Sequence, residues 1–350
     1  MSNKSAILPT PNSQLQILDA PYPALTPDRL IVRVHAIAIN PVDLVIQKQS
    51  PNIFPHLEYP ITLGFDVAGE VVSVGEQISR FKTGDRVFGL AGGVLTNIRQ
   101  EQGFQNYVVM REVVTAKIPE KMSYTQAVVL PLGLSTVASG MFQDDYLGMR
   151  WPVLSAGGGN ENEIEIEKRE ETVLIWGGAS SLGCNAIQLA HAAGYEVVTT
   201  ASEKNFELVR SLGADHVVDY HAASAVDDLV DFLQNRKCSG ALAIAPGSVE
   251  KCLDILQRSG SRPFVASASL PPAGISEDKA KFIWGGSLAR NEVGPAIWER
   301  YITQAMERGV FVPMPRARVV GEGLESLQMA MDTLERGVSA EKIVVLLTSV

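Results

Sequence analysis

Val173 to Trp176 form a short apolar run that ends in a glycine-rich turn, Gly177 to Gly183, and the turn opens directly into NAIQLAHAAGYEVVTTAS. Nothing else in the chain constrains its fold as strongly. The apolar run reads as a buried strand. After the turn, Ala186, Leu189, Ala190 and Ala193 recur at helical spacing, Gly194 sits where a helix C-cap belongs, and Glu196 to Thr200 read as a second strand. Strand, turn, helix and strand make one βαβ unit. Glycine is needed where backbone approaches a pyrophosphate closely, and a helix N-terminus offers that anion free N–H groups. Gly177, Gly178 and Gly183 meet the demand, although the spacing departs from G-x-G-x-x-G, so the motif alone also fits a tight connection.

The end of the second strand bears on which dinucleotide fits. A ribose 2′-hydroxyl asks for a carboxylate there, and a 2′-phosphate asks for a cation and hydroxyl donors. The strand runs out into Ala201, Ser202, Glu203 and Lys204. Ser202 and Lys204 favour NADPH over NADH, while Glu203 argues the other way and Ser202 also suits the cap of the next helix.

A chain of 350 residues is long for one domain and comfortable for two. A net charge of −9 gives no electrostatic footprint for nucleic acid or an anionic membrane, so neither is expected as a partner. The N-terminus lacks a signal-peptide pattern, and no run approaches the length needed to span a bilayer. Cys184, Cys238 and Cys252 are widely spaced and odd in number, which fits free thiols in a reducing, cytoplasmic compartment.

Ahead of the turn, QLQILDAP, RLIVRVHAIAIN, VAGEVVSVG, DRVFGL, FQNYVVM and VVTAKIP read as short strands, which suggests a small barrel. Val32, Val34, Ala36 and Ala38 share one face. Asn40-Pro41-Val42-Asp43 ends the second of these strands, and Ser123 is a helix N-cap ahead of YTQAVVLPLGLSTVASGMF. Residues 149–172 combine a glycine run with an acidic alternating patch, read as an exposed bridge between domains and, alternatively, as a docking surface for a basic partner. Beyond Val173 the βα alternation continues through HVVDY, AVDDLVDFLQN, ALAIA, VEKCLDILQRSG and FVASAS, as a parallel sheet requires. Two amphipathic helices, in GPAIWERYITQAMERGVF and GLESLQMAMDTLERG, and a strand KIVVLLTSV complete the chain.

INPVD, GFDVAGEVVSVG, GDRVFGL, GGASSLG, SLGADHVVDY and VSAEKIVVLL, in this order, resemble the medium-chain dehydrogenase/reductase superfamily over nearly the full length. The details are most similar to its zinc-free branch of quinone reductases and fungal trans-acting enoyl reductases, a group often labelled zinc-binding dehydrogenase. The implied fold is α/β, a GroES-like β-barrel catalytic domain (residues 1–137 and 288–350) plus a Rossmann doubly wound parallel sheet that binds NADPH (138–287). Catalytic zinc needs three ligands from Cys, His and carboxylate. Here Phe65 stands where the zinc enzymes have the His of G-H-E, and no Cys precedes Cys184, so no metal is expected.

The resemblance implies Asn40, Asp43, Ala266, Ser267 and Lys342 beside the nicotinamide. It implies Gly178, Ser180, Ser181, Leu182 and Gly183 at the pyrophosphate, and Ser202, Lys204 and Tyr220 at the 2′-phosphate. Leu134, Ser135 and Thr136 would line the substrate cleft, with Phe282, Ile283 and Trp284 as its apolar wall. Many relatives carry a Lys just after N-P-x-D; this chain has Leu44 and Val45 there, which leaves the proton donor unassigned among Asn40, Asp43, Thr136, Tyr59 and solvent. The implied activity is reduction of an activated C=C bond in a small molecule, in secondary-metabolite biosynthesis and with a polyketide synthase as a possible partner. Broad quinone or alkenal reduction and an NADPH-binding accessory role are the alternatives, and monomer and homodimer stay open.

Overall fold

In the computed structural model residues 2–154 and 170–347 are described, with backbone alone at 49–52. The chain divides into two compact units, Met1–Leu132 with Pro313–Val350, and Gly133–Val312. The glycine run and most of the acidic patch expected as a bridge lie outside the described residues.

The first unit is built of strands β1 (Asn3–Leu8), β2 (Gln16–Ala20), β3 (Arg29–Ala38), β4 (Ile61–Thr62), β5 (Asp66–Val74), β6 (Arg86–Leu90), β7 (Tyr107–Arg111) and β8 (Thr115–Lys117). The second contributes β9 (Thr172–Trp176), β10 (Glu196–Ala201), β11 (His216–Asp219), β12 (Cys238–Ala243), β13 (Val265–Ser267) and β14 (Ala280–Phe282). The chain then returns to the first unit for β15 (Arg316–Glu322) and β16 (Glu341–Leu346).

The first unit holds a small sheet ordered β2-β1-β4 and a larger one ordered β15-β16-β3-β5-β6-β8, with β7 also paired to β3. Strand β3 is its spine. It runs antiparallel to β5 and β7, and Ala36–Ala38 pair antiparallel with Val344–Leu346 of β16. Val32, Val34, Ala36 and Ala38 are all buried, as the alternation predicts, and Leu30, Ile31 and Ile37 are buried as well because the strand is covered on both faces.

Helix α1 (Pro41–Ile53) follows β3. The Pro-punctuated sequence gives no helical reading there, yet Pro41 occupies the first helical position, where a missing N–H costs nothing. The N-cap reading at Ser123 is correct: its hydroxyl accepts the Gln126 N–H at 3.2 Å and the Gln126 amide oxygen accepts the Ser123 N–H at 2.9 Å.

Helix α2 (Pro131–Phe142) continues that stretch. By length and composition Tyr124–Phe142 is apolar enough to cross a membrane, which corrects the expectation that no such run exists; 78% of its most apolar window is buried inside the protein. It serves as core.

The second unit carries one six-stranded sheet ordered β11-β10-β9-β12-β13-β14, parallel at every pairing. Leu174, Trp176, Val198, Ala241, Leu229, Cys252, Ile255 and Leu256 form its core on one face. Helix α3 (Ser181–Ala192) leaves β9 through the glycine turn and buries Cys184, Ala186, Ile187, Leu189 and Ala190. The unit extends to Val312, beyond the residue 287 read from the sequence, because Trp298, Tyr301, Ile302 and Ala305 are buried in it. Gln188 of α3 fastens that extension: its amide accepts the Val312 N–H at 2.7 Å and donates to the Val312 carbonyl at 3.1 Å. All three cysteines are free and buried, and burial pushes the Cys184 thiol up to about 12 and that of Cys238 to about 11.

Candidate functional site

The glycine turn joins β9 to α3, and its conformation explains each small residue. Gly177 takes φ +106°, a left-handed conformation that side chains resist, and its N–H donates to the Thr200 hydroxyl at 3.1 Å. A Cβ on Gly178 would lie 2.3 Å from Oγ1 of Thr199, and one on Gly183 2.3 Å from the carbonyl oxygen of Gly177. Both positions therefore demand glycine. The Ser180 hydroxyl accepts the Gly183 N–H at 3.0 Å and donates to the Gly177 carbonyl at 2.7 Å, so one side chain caps α3 and closes the turn.

Such a cradle of backbone at the head of a twelve-residue helix fits the pyrophosphate of a dinucleotide. Ser181 and Leu182 are half-buried at its mouth. Ser202, beyond the end of β10, has a hydroxyl that accepts from Nδ2 of Asn205 at 3.1 Å, and it precedes a single 3₁₀ turn. Lys204 and Glu203 are exposed beside it. Tyr220, 43% exposed, lies against the ring of His221 at 4.1 Å, beyond the end of β11. The adjacent β10 and β11 thus leave a hydroxyl, an ammonium, an aromatic ring and a carboxylate at one end of the parallel sheet.

The first unit assembles a second group. Asn40, Asp43, Asp66 and Lys342 are buried polar residues drawn from the end of β3, the start of α1, the start of β5 and β16. The Lys342 ammonium pairs with Oδ2 of Asp66 at 2.9 Å and also donates to Oδ1 of Asn40. Asn40 Nδ2 donates to the same Asp66 oxygen at 2.9 Å, and Asp66 Oδ1 accepts the Leu132 N–H at 2.6 Å. Asp43 accepts the Asn40 N–H at 2.8 Å and the Gly64 N–H at 3.2 Å. Burial pushes the Asp43 carboxyl up to about 7, aided by Asp66 and opposed by those two amides and Lys342. Asn40, Asp43 and Lys342, three of the residues predicted for the nicotinamide end, thus share one buried network.

Other expected residues have structural duties. The Tyr59 hydroxyl donates to the Ile46 carbonyl at 3.3 Å, which ties it to α1. Leu134 and Ser135 are fully buried, and Ser135 Oγ has no hydrogen-bond partner; Thr136 is the half-buried member of that trio. Ala266 and Ser267 are buried in β13, with the Ser267 hydroxyl donating to the Ser269 carbonyl at 2.7 Å. Ile283 is buried, while Trp284 is 40% exposed and stands edge-on to Phe282 at 6.1 Å. The sequence reading missed Asp66, although a lone Asp and a lone Lys each opening an apolar strand signal a buried pair. It also missed Tyr146, whose hydroxyl contacts the 282–284 segment.

The donor set of the described residues does not fit a zinc ion. Among the described residues no group of three His, Cys, Asp or Glu side chains could hold a metal. Phe65 is buried beside Asp66, and both carboxylates of the network face an ammonium or amides.

Residues 26–120 match the alcohol dehydrogenase GroES-like domain family and residues 181–284 the zinc-binding dehydrogenase family. The chain is 44% identical to the dehydrogenase azaJ of Aspergillus niger, over 99% of each protein. It is 37% identical to the trans-enoyl reductase himH of Aspergillus japonicus, covering 90% of this chain and 89% of the relative. Among solved structures, an alcohol dehydrogenase superfamily protein of Novosphingobium aromaticivorans superposes with TM-score 0.74 at 25% identity, over 99% of this chain and all of that one. Barrel strands ahead of a glycine turn that admits no Cβ, a six-stranded parallel sheet behind it, and relatives alike from end to end lead to one assignment: the chain belongs to the medium-chain dehydrogenase/reductase superfamily of nicotinamide-dinucleotide-dependent oxidoreductases.

Proposed function

We propose that the chain is a zinc-independent, NADPH-dependent reductase of activated C=C bonds, acting on an enoyl or α,β-unsaturated carbonyl compound of secondary metabolism in the cytoplasm. The observation that carries this reading is the donor set: a dinucleotide cradle without a metal-ligand cluster among the described residues. Without a strong Lewis acid a simple ketone or alcohol is harder to polarise. A conjugated C=C needs only an oxygen stabilised by hydrogen-bond donors, because charge developing at carbon delocalises onto it. The trans-enoyl reductase name borne by the Aspergillus japonicus relative supports the same reaction, and 30% identity over 93% of this chain to the enoyl reductase component of the lovastatin nonaketide synthase of Aspergillus terreus makes a polyketide synthase a candidate partner.

A dinucleotide held here would supply hydride for addition to the β-carbon. Gly178 and Gly183 would let its pyrophosphate approach the backbone of the turn, and Ser180, Ser181 and Leu182 would border it at the N-terminus of α3. Ser202, Lys204 and Tyr220 select the 2′-phosphate. Asn40, Asp43 and Lys342 shape the nicotinamide end by fixing the β3–α1 corner, since their polar atoms are engaged with one another, with Asp66 or with backbone. Thr136 borders the substrate, and Phe282 and Trp284 give it an apolar wall. The proton reaches the α-carbon from a side chain or from solvent.

The test is NADPH oxidation at 340 nm with an enal, an enoyl thioester, a quinone and a simple ketone, with NADH and a chelator as controls. Turnover of the enal or thioester with NADPH, unaffected by the chelator, is expected. Turnover confined to the ketone, or loss of activity with the chelator, would refute the proposal.

A further inference from the structure

The wall residues Phe282 and Trp284 sit where β14 runs out, on an edge strand only three residues long that is held by β13 alone. Such a segment has few ladder bonds to keep its side chains in place. The structure supplies the missing restraint from α2 and the turn after it.

The Tyr146 hydroxyl donates to the Phe282 carbonyl at 2.8 Å and accepts the Trp284 N–H at 3.3 Å, so one phenol oxygen spans the backbone on both sides of Ile283. Tyr146 is itself fixed. Arg262 donates to the carbonyls of Tyr146 and Leu147 at 3.0 and 2.9 Å, and the Lys281 ammonium lies 4.7 Å over the Tyr146 ring while pairing with Asp145. Burial keeps the phenol protonated by raising its pKa, against the pull of the Trp284 N–H and Lys281.

The facing side of α2 completes the grip. A Cβ on Gly140 would stand 2.6 Å from Cδ1 of Ile283, so the absence of a side chain there admits Ile283 into the core. Gln143 Nε2 donates to Oγ of Ser287 at 2.9 Å, and Ser139 Oγ lies 3.3 Å from the same hydroxyl. The proposed function does not use Ser139, Gly140, Gln143 or Tyr146, yet all four converge on residues 283–287.

We infer that Tyr146 is a specificity-determining positioning residue: its hydroxyl clamps the backbone on either side of Ile283 and so holds Phe282 and Trp284 as a fixed aromatic wall that favours substrates with a long apolar chain over short ones. This rests on the reductase reading above. A wall held by backbone hydrogen bonds presents its rings without ordering them anew for each substrate, and that preorganisation benefits the substrates that reach them.

The test compares the wild type with Tyr146→Phe, which keeps the ring and removes only the oxygen. With NADPH, KM for a long-chain enoyl thioester is expected to rise about tenfold, the factor that loss of two hydrogen bonds provides, while kcat and the KM of a short enal stay within about twofold. Trp284 is the exposed one among the four tryptophans, Trp151 being half-buried and Trp176 and Trp298 buried. Acrylamide quenching, corrected with a Trp284→Phe blank, should therefore increase in Tyr146→Phe. Gly140→Ala, which displaces Ile283 without touching the phenol, should shift the long-to-short preference in the same direction.

An unchanged preference with unchanged quenching would overturn the inference. So would an equal loss on both substrates accompanied by a lower Tm, which is what a merely structural tyrosine would give. If the wild type turns over neither substrate, the reductase reading fails and takes the specificity role with it, whereas the quenching measurement still decides whether the clamp exists.

Discussion

Lys342→Met in β16 is the perturbation with the largest expected effect on the barrel unit. The ammonium and its Asp66 partner are 4% and 0% exposed and 2.9 Å apart. At an effective dielectric of about 20 their attraction is of order 6 kcal/mol, most of it offset by the cost of desolvating both ions. Removing the lysine alone leaves the Asp66 carboxylate buried with only Asn40 Nδ2 and the Leu132 N–H as donors, a loss of about 3–5 kcal/mol. In a unit of this size that lowers Tm by about 6–20 °C. The double variant Lys342→Met/Asp66→Asn removes both charges and keeps an amide oxygen for Leu132, so it should recover at least half of the loss. All four tryptophans lie between Gly133 and Val312, so their fluorescence reports on the other unit. The assay is therefore hydrogen exchange by mass spectrometry: peptides over Asp66–Val74 and Glu341–Leu346 should exchange faster in the single variant, and peptides over Thr172–Trp176 should not. A single-variant cost below about 1 kcal/mol, or a double variant as weak as the sum of the singles, would refute the reasoning.

Three further outcomes are expected. The Asp43 carboxyl titrates near 7 in the folded protein and near 4 unfolded, so the native state holds its proton more tightly; its contribution to stability is full below about pH 4, declines as pH rises to about 7 and is level above. Asp43→Asn should therefore gain stability relative to wild type between pH 5 and 8, read from urea midpoints, and a constant difference across that range would contradict the burial argument. Gly183→Ala forces a Cβ to within 2.3 Å of the Gly177 carbonyl and should weaken NADPH binding more than tenfold in titration calorimetry, of order the cost of overpacking against fixed backbone. Lys204→Ala should raise the NADPH Kd about tenfold and leave the NADH Kd unchanged, as loss of one exposed charge-assisted contact implies; equal changes for both cofactors would remove Lys204 from 2′-phosphate recognition.

The parts legible in sequence were those whose signal is local. The β9–turn–α3 junction, the strands flanking it and the Ser123 cap each follow from neighbouring residues, and each stands as read. Helix α1 was hidden because Pro41 and Pro51 read as breaks, whereas Pro41 opens the helix. The buried network was half legible. Asn40, Asp43 and Lys342 were singled out, but their mutual engagement depends on Asp66 and on a pairing between β3 and β16 across some 300 positions, which no local pattern encodes. The end of the parallel-sheet unit was misplaced for the same reason: the Gln188 amide that draws Val312 onto α3 looks in sequence like any polar residue of an amphipathic helix. Tyr146 was invisible because its role is set by its hydroxyl's reach to a segment 136 residues away.

The second unit is an insertion: residues 133–312 interrupt the first, whose last two strands come after them. During synthesis the parallel-sheet unit is therefore whole before the barrel can be. Until residues 341–346 emerge, the backbone of Ala36–Ala38 pairs with β5 alone and lacks its second partner strand, and Asp66 lacks the Lys342 ammonium. A nascent or C-terminally truncated chain thus carries an open edge next to an unneutralised carboxylate, the combination that invites pairing with a wrong neighbour. Strand β16 acts as a lock on the first unit, and changes to Glu341–Leu346 bear directly on its closure.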